Sequence, residues 1–204
     1  VFLVDDDASV RRAMARLIKS AGHHVQTFAS AREFLDTKTA SEEEGCLVLD
    51  VRMPGLTGLD LQRELQSVNR NLPIVFITGH GDIPMGVNAM KAGAVDFLPK
   101  PVKDTVLLRA IEQATTRAAR DRAARQEVEK VQRRAEALTS RERDVMPLVA
   151  SGLPNKMIAF KLGIVEKTIK VHRARIMRKM QVQSLADLVR LVEKLKIARE
   201  PNEK

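Results

Sequence analysis

The chain has 204 residues, with 35 Lys and Arg against 26 Asp and Glu and a formal net charge of +9. Hydrophobic residues make up 44%, enough to core one large domain or two small ones, and no stretch approaches the roughly 18 consecutive apolar residues of a membrane span. A single cysteine excludes a disulfide framework and a Cys-based zinc site. A reducing cytoplasm is the expected compartment. The sequence opens on an apolar strand at Val1 rather than a signal peptide, so a few native residues, the initiator Met among them, are expected before it.

Charge is unevenly spread. Residues 1–114 hold 13 basic and 15 acidic groups, residues 115–137 hold 7 and 4, and residues 138–204 hold 15 and 7. An acidic front half joined to a basic tail points to a tail that meets a polyanion. A basic surface serving solubility alone is the competing reading.

In chain order, apolar runs occur at Val1–Val4, His24–Phe28, Cys46–Leu49, Ile74–Ile77 and Val95–Leu98. They are short, rich in Val, Ile, Leu and Phe, and do not alternate with polar residues, which is the pattern of strands buried on both faces of a parallel sheet. Between them lie helical periodicities, such as Val10, Met14, Leu17 and Ile18, then Leu59, Leu61, Leu65 and Val68. Ser30 to Glu33 reads as a capping box, and Thr57 as a cap. This repeat predicts a doubly wound α/β domain over residues 1–115.

Residues 103–137 lack Gly and Pro and read as one long helix. Its far half, the connector 116–137, has Val128 and Val131 as its only large aliphatics, so it is expected to be solvated, with weak self-pairing as the alternative. From Leu138 to Lys204 every signal is helical. Thr139 to Glu142 is a capping box, Gly152 and Pro154 end a first helix, and Asn155–Leu162 forms a second. Gly163 breaks to a third from Glu166, and Ser184 opens a fourth, giving a small all-α domain.

Chemistry concentrates at the carboxyl ends of the strands. Asp5, Asp6 and Asp7 end the first, and Asp50 ends the third. With the strand order 2-1-3-4-5 usual for such sheets, the first and third strands flank the point where the winding reverses, where functional crevices lie. Asp5, Asp6 and Asp50 then crowd together and need a cation, and oxygen-only ligands favour Mg²⁺. Thr78 and Lys100 end the fourth and fifth strands. Carboxylates, a hydroxyl and an ammonium around one crevice suit phosphoryl transfer.

At these residues the chain closely resembles the receiver domain of bacterial two-component response regulators. The likeness spans residues 1–115 through Val-Asp-Asp-Asp, Leu-Asp-x-x-Met-Pro-Gly, Thr78-Gly79 and Lys100-Pro101. It implies a flavodoxin-like fold with Asp50 as acceptor of a phosphoryl group from a sensor histidine kinase. It implies Mg²⁺ on Asp6, Asp50 and the backbone carbonyl of Arg52, with Asp5 acting through water. Thr78 and Phe97 would form the switch, and Lys100, before a cis peptide bond to Pro101, would pair with the phosphate. Gly-Asp-Ile-Pro-Met after His80, with Met90-Lys-Ala-Gly-Ala, is most similar to the FixJ subgroup. Arg52 and His80 occupy positions that tune phosphate lifetime in that family. As plain structure, Phe97 is a buried-strand aromatic, Cys46 an inert buried thiol, and His23 and His24 surface residues.

In the tail, the turn at Leu162-Gly163-Ile164 joins a short helix to a longer basic one, the shape of a helix-turn-helix. On the longer helix Ile169, Ile176 and Met180 share a core face, and Lys167, Lys170, Val171 and Ala174 another. Lys156, Arg173, Arg178 and Lys179 are within reach of phosphates. Met177 and Met180 read as core. The segment 138–197 resembles the LuxR-type output domain of NarL/FixJ regulators through Leu-Thr-x-Arg-Glu, Gly-Leu-Pro-Asn-Lys-x-Ile-Ala, Leu-Gly-Ile and Thr-Ile-Lys-Val-His. The resemblance implies Lys170 and Val171 in the major groove of promoter DNA, and Thr168 near its backbone. It also implies a homodimer through the fourth helix around Leu185–Leu195, contact with RNA polymerase, and activation of transcription. His172 is read as a packing or phosphate-contact residue.

Three departures stand out. Val165 replaces a frequent Ser N-cap, at a cost of about 0.5–2 kcal/mol. Ala174 replaces a frequent base-reading Lys. Pro147 lies inside a helix and should kink it, at roughly 3 kcal/mol if uncompensated. Two rival functions remain at this level: an Mg²⁺-dependent phosphohydrolase, which has Arg52 where a general acid is wanted, and a protein-interaction module that does not bind DNA.

Overall fold

The computed structural model describes residues 1–37, 45–68, 70, 72–79 and 83–199, with side chains up to Leu195 in the last helix. The chain forms two compact units, Val1–Asp121 and Arg122–Lys204.

The first unit alternates strand and helix: β1 Phe2–Val4, α1 Ala8–Ser20, β2 Gln26–Phe28, α2 Ala31–Asp36, β3 Leu47–Asp50, α3 Gly58–Ser67, β4 Ile74–Thr78, α4 Ile83–Lys91, β5 Asp96–Pro99 and the start of α5 Asp104–Glu136. The strands pair in parallel in the order β2-β1-β3-β4-β5. This is the doubly wound, flavodoxin-like sheet that the apolar runs predict. Side chains alternate across it. Phe2, Val4, Leu47, Leu49 and Phe76 enter one core with Phe34, Leu61 and Leu65, whereas Leu3, Val48, Val75 and Ile77 enter the other with Ile18, Leu107 and Ile111. Burial on both faces holds along β1, β3 and β4. It fails at the sheet edges, where Thr27 of β2 and Pro99 of β5 are exposed. An edge strand has a neighbour on one side only, so its side chains are covered less completely.

Local chemistry fixes the helix starts. Asp7 caps α1, its Oδ1 accepting the N–H groups of Ser9 and Val10 at 2.7 and 3.1 Å. Thr57 and Asp60 form a reciprocal capping box at α3. At α2 the Ser30 hydroxyl accepts from the Glu33 N–H, but the Glu33 carboxylate takes the N–H of Ala29 instead of that of Ser30.

The second unit packs the far end of α5 with α6 Ser140–Ala150, α7 Asn155–Leu162, α8 Glu166–Met180 and α9 Leu185–Arg199. Their core holds Leu138, Val145, Val149, Ile158, Ile169, Ile176, Met180 and Leu188. Val131 is fully buried in the same core, whereas residues 116–130 of the connector are mostly exposed, as expected of a solvated helix. One large aliphatic is too little for an amphipathic stripe, yet enough to fill one hole in a neighbouring bundle. Helix α6 runs unbroken through Pro147. Glu142, Val145 and Val149 are its buried face and Pro147 lies on the exposed side, so the missing hydrogen bond falls where water can compensate.

Candidate functional site

The crevice at the carboxyl ends of β1, β3, β4 and β5 assembles the residues expected there. Asp5 follows β1, Asp50 and Thr78 end β3 and β4, and all three are buried, at 1%, 7% and 1% exposure. Lys100 follows β5, before a cis peptide bond to Pro101. Its ammonium donates to Asp5 Oδ2 at 2.7 Å and to Asp50 Oδ2 at 2.8 Å. Asp6 is exposed, and Asp5, Asp6 and Asp50 each offer a carboxylate oxygen within 4.8 Å of the others. Three carboxylates against one ammonium leave the crevice two charges short of neutrality.

Electrostatics follow from that crowding. Burial pushes the Asp5 carboxyl above its ordinary value, and the Lys100 hydrogen bond opposes the rise without cancelling it. Burial acts to lower the Lys100 ammonium, but its hydrogen bonds to Asp5 and Asp50 outweigh it, so the group sits above its ordinary value. Both effects describe a site that favours added positive charge. The oxygen-only donor set fits Mg²⁺.

Asp7 departs from its neighbours: its carboxylate accepts from the start of α1 and so caps a helix, while its backbone N–H donates to Asp5 Oδ1 at 2.9 Å. The Arg52 side chain is exposed, while its backbone N–H donates to Asp50 Oδ1 at 3.2 Å. Phe97 is half-buried and tilts against Phe76 with ring centroids 6.1 Å apart. A methyl on Gly86 of α4 would come within 3.3 Å of the Phe97 ring, so α4 rests directly on this aromatic. Gly86 and Gly58 carry no chemistry of their own, and sequence reasoning passed over both. His80 lies outside the described residues. Cys46 is buried at the foot of β3, and burial pushes its thiol up to about 11.

In the second unit, Gly163 adopts a left-handed conformation (φ 64°) and turns α7 into α8. Ile169, Ile176 and Met180 are the buried face of α8. Lys167, Lys170, Val171 and Ala174 are exposed on the other, with Val171 at 43%. Lys156 is exposed on α7 and Thr168 half-buried at the start of α8. The Arg173 guanidinium reaches Asn155 Oδ1 at 3.5 Å, and Lys170 lies 3.4 Å from Glu166. Val165 starts α8 with no side-chain cap, as its identity predicts. His172 has its Nδ1 buried without a hydrogen-bond partner among the described residues.

Lys179 is different from the other basic residues. Its ammonium donates to Glu142 Oε2 at 2.6 Å, and Glu142 is 1% exposed. The same carboxylate accepts the Thr139 N–H, so one acidic group closes the capping box of α6 and pins the end of α8. Sequence reasoning identified the cap but not the ion pair, because no spacing rule connects residues 37 apart.

Comparison with known proteins agrees with these geometries. Residues 1–112 match the response regulator receiver domain, and residues 136–192 match the bacterial regulatory proteins of the luxR family. Nodulation protein W of Bradyrhizobium diazoefficiens is 52% identical over 97% of this chain and 87% of its own. The transcriptional regulatory protein FixJ of Rhizobium meliloti is 44% identical over 94% and 93%. Among solved structures, the response regulator StyR is 52% identical with a TM-score of 0.84, covering 95% of this chain and 97% of that one. Full-length FixJ from B. japonicum is 42% identical with a TM-score of 0.57, covering 96% of each. Receiver domains generally bind Mg²⁺ at an acidic pocket, and response regulators with a DNA-binding output domain are generally non-enzymatic regulators. With a strand-end crevice of three carboxylates and a lysine in one unit and a basic helix-turn-helix in the other, this chain belongs to the two-component response regulators that join a receiver domain to a LuxR-type DNA-binding domain, and it is a regulator of transcription.

Proposed function

We propose that Asp50 accepts a phosphoryl group from a sensor histidine kinase, and that the phosphorylated chain dimerises on promoter DNA to activate transcription. The observation that carries this reading is the Lys100 ammonium held between Asp5 and Asp50 at 2.7 and 2.8 Å, with Asp6 completing the acidic cluster. An Asp50 oxygen attacks phosphorus, the phosphorus–nitrogen bond of the donor phosphohistidine breaks, and its electron pair returns to the imidazole. Asp5, Asp6, Asp50 and the backbone carbonyl of Arg52 would hold Mg²⁺, which supplies positive charge against the equatorial phosphoryl oxygens. Lys100 then turns from the Asp50 carboxylate to the new phosphate. Thr78 offers its hydroxyl to a phosphoryl oxygen, and Phe97 follows inward.

The units map onto this scheme as a receiver over residues 1–115, a connector over 116–137 and a DNA-binding domain over 138–204. Lys170 and Val171 read bases in the major groove, and Lys156, Lys167, Thr168 and Arg173 contact the backbone. Lys179 is paired to the buried Glu142, so its share of affinity is the smallest of the set. Contact with RNA polymerase completes activation.

Selection of binding sites from a random duplex pool tests the scheme, comparing beryllofluoride-treated protein with Asp50→Asn. Enrichment of a two-fold symmetric site by the treated wild type alone is the expected result. Equal enrichment by both proteins would remove the phosphoryl switch, and no enrichment by either would remove the DNA reading. Lys170→Ala, with folding intact, should abolish enrichment.

A further inference from the structure

Beyond its DNA-facing surface, the second unit holds a cavity of about 470 Å³ between the end of α5, α6 and α9. Its volume lies in the range of small-molecule sites. Ala135, Met146, Val192 and Leu195 make an apolar lining, and Val192 and Leu195 are also part of the unit's core. Glu136 and Arg143 stand at the mouth with exposed side chains that make no hydrogen bond or ion pair among the described residues.

Pro147 gives this cavity its chemistry. It lines the wall beside Arg143, and having no N–H it leaves the Arg143 carbonyl without its helical donor. An apolar hollow beside a carbonyl that lacks its helical donor and is open to water suits a flat apolar body carrying one hydrogen-bond donor. The Arg143 guanidinium at the rim suits the face of an aromatic ring. We infer that the cavity lined by Met146, Pro147, Val192 and Leu195 is a binding site for a small aromatic molecule whose N–H or O–H donates to the carbonyl of Arg143. Neither the phosphoryl chemistry of the receiver nor the groove face of α8 uses these residues, while Val192 and Leu195 belong to the helix expected to carry the homodimer.

Indole is a suitable probe, and 1-methylindole is the same body without the donor. The chain contains no Trp and no Tyr, so indole emission is read against a dark background in the full-length protein. Indole should bind with a dissociation constant on the order of a millimolar or below, with a blue-shifted emission and a displaced Met146 methyl resonance. 1-Methylindole should bind about 3- to 10-fold more weakly, the worth of one neutral hydrogen bond. Pro147→Ala returns an N–H to the Arg143 carbonyl and should bring indole down to the affinity of 1-methylindole. Ala135→Phe, which fills the cavity, should abolish both, with thermal unfolding confirming that each variant folds. The inference is overturned by absence of indole binding at millimolar concentration, by equal affinity for the two probes, or by a Met146 methyl that does not move. A titration whose midpoint shifts with protein concentration would place a second copy in the cavity and overturn it as well.

Discussion

Gly58 is where the backbone itself enters the design of the acidic crevice. It is the first residue of α3, it is buried, and its N–H donates to the Val51 carbonyl at 3.0 Å. A Cβ at this position would collide with the carbonyl oxygen of Asp50 and sit 3.1 Å from both the Asp50 carbonyl carbon and Val51 Cα. These are backbone atoms, so no side-chain rotation relieves the contact. Gly58→Ala must therefore push the start of α3 away from the end of β3 or move Asp50. Overpacking of this kind costs about 1–3 kcal/mol, here at the upper end, and the helix preference of Ala returns at most about 1 kcal/mol. A net loss of about 2 kcal/mol lowers the urea midpoint of the first unit by about 1 M. Cys46 isolates that unit in the measurement. It is the chain's one cysteine, fully buried beside β3, with its thiol pushed up to about 11, so it reacts with a disulfide reagent only when the sheet opens. Labelling by acetyl phosphate should fall in parallel, because the atom that moves belongs to the residue proposed as acceptor. An unchanged or higher midpoint in the Cys46 titration would refute the reasoning, since it would mean that the β3–α3 junction yields freely.

Three further predictions concern the second unit. Val131→Ala should destabilise it by about 1–3 kcal/mol, since Val131 is fully buried, and circular dichroism should show this while the Cys46 transition stays in place. Val165→Ser should supply the absent cap of α8 and raise stability by about 0.5–2 kcal/mol, and a lower melting temperature would sink the capping argument. Glu142→Gln should cost about 1–3 kcal/mol by weakening a charged hydrogen bond. The same residue sets a pH dependence. The Lys179 hydrogen bond holds the Glu142 carboxyl below its ordinary value; burial opposes this and the Thr139 N–H adds to it. A depressed folded-state value means that the stabilisation is complete above the ordinary carboxylate value near 4.3 and is lost progressively as pH falls from there through the lower folded-state value. Melts taken at falling pH should therefore show a difference between wild type and Glu142→Gln that is full near roughly pH 6 and narrows on the acid side of the ordinary carboxylate value.

Much of the fold was legible because parallel sheets write themselves plainly. Leu47–Asp50 and Ile74–Thr78 are buried on every residue, and a strand covered on both faces admits only apolar side chains until the point where it ends in chemistry. That same rule located Asp50 and Thr78, as the first polar residues after runs with none. Edges were less legible: His24 and Val25 look like strand, yet the ladder of β2 begins at Gln26, where pairing with Phe2 starts. Period and composition give the apolar content of a strand, whereas its length is set by the neighbour it pairs with.

The failures share one cause. Val131 read as one of two aliphatics on a solvated helix, and Lys179 read as a group within reach of phosphates. One fills a hole in a core, and the other meets a buried carboxylate. In each case the residue type was read correctly and the partner was not, because the partner is fixed by direction and packing rather than by spacing. Lys179 makes the point most sharply. By charge and position it belongs with Lys167 and Lys170, yet a basic helix that packs through one face must also anchor its end. A buried carboxylate 37 residues upstream provides that anchor. Charge counts on a recognition helix therefore overstate the number of groups free to meet DNA. The salt dependence of binding tests this: the slope should fall by about one unit for Lys167→Ala and by far less for a Lys179→Met that folds.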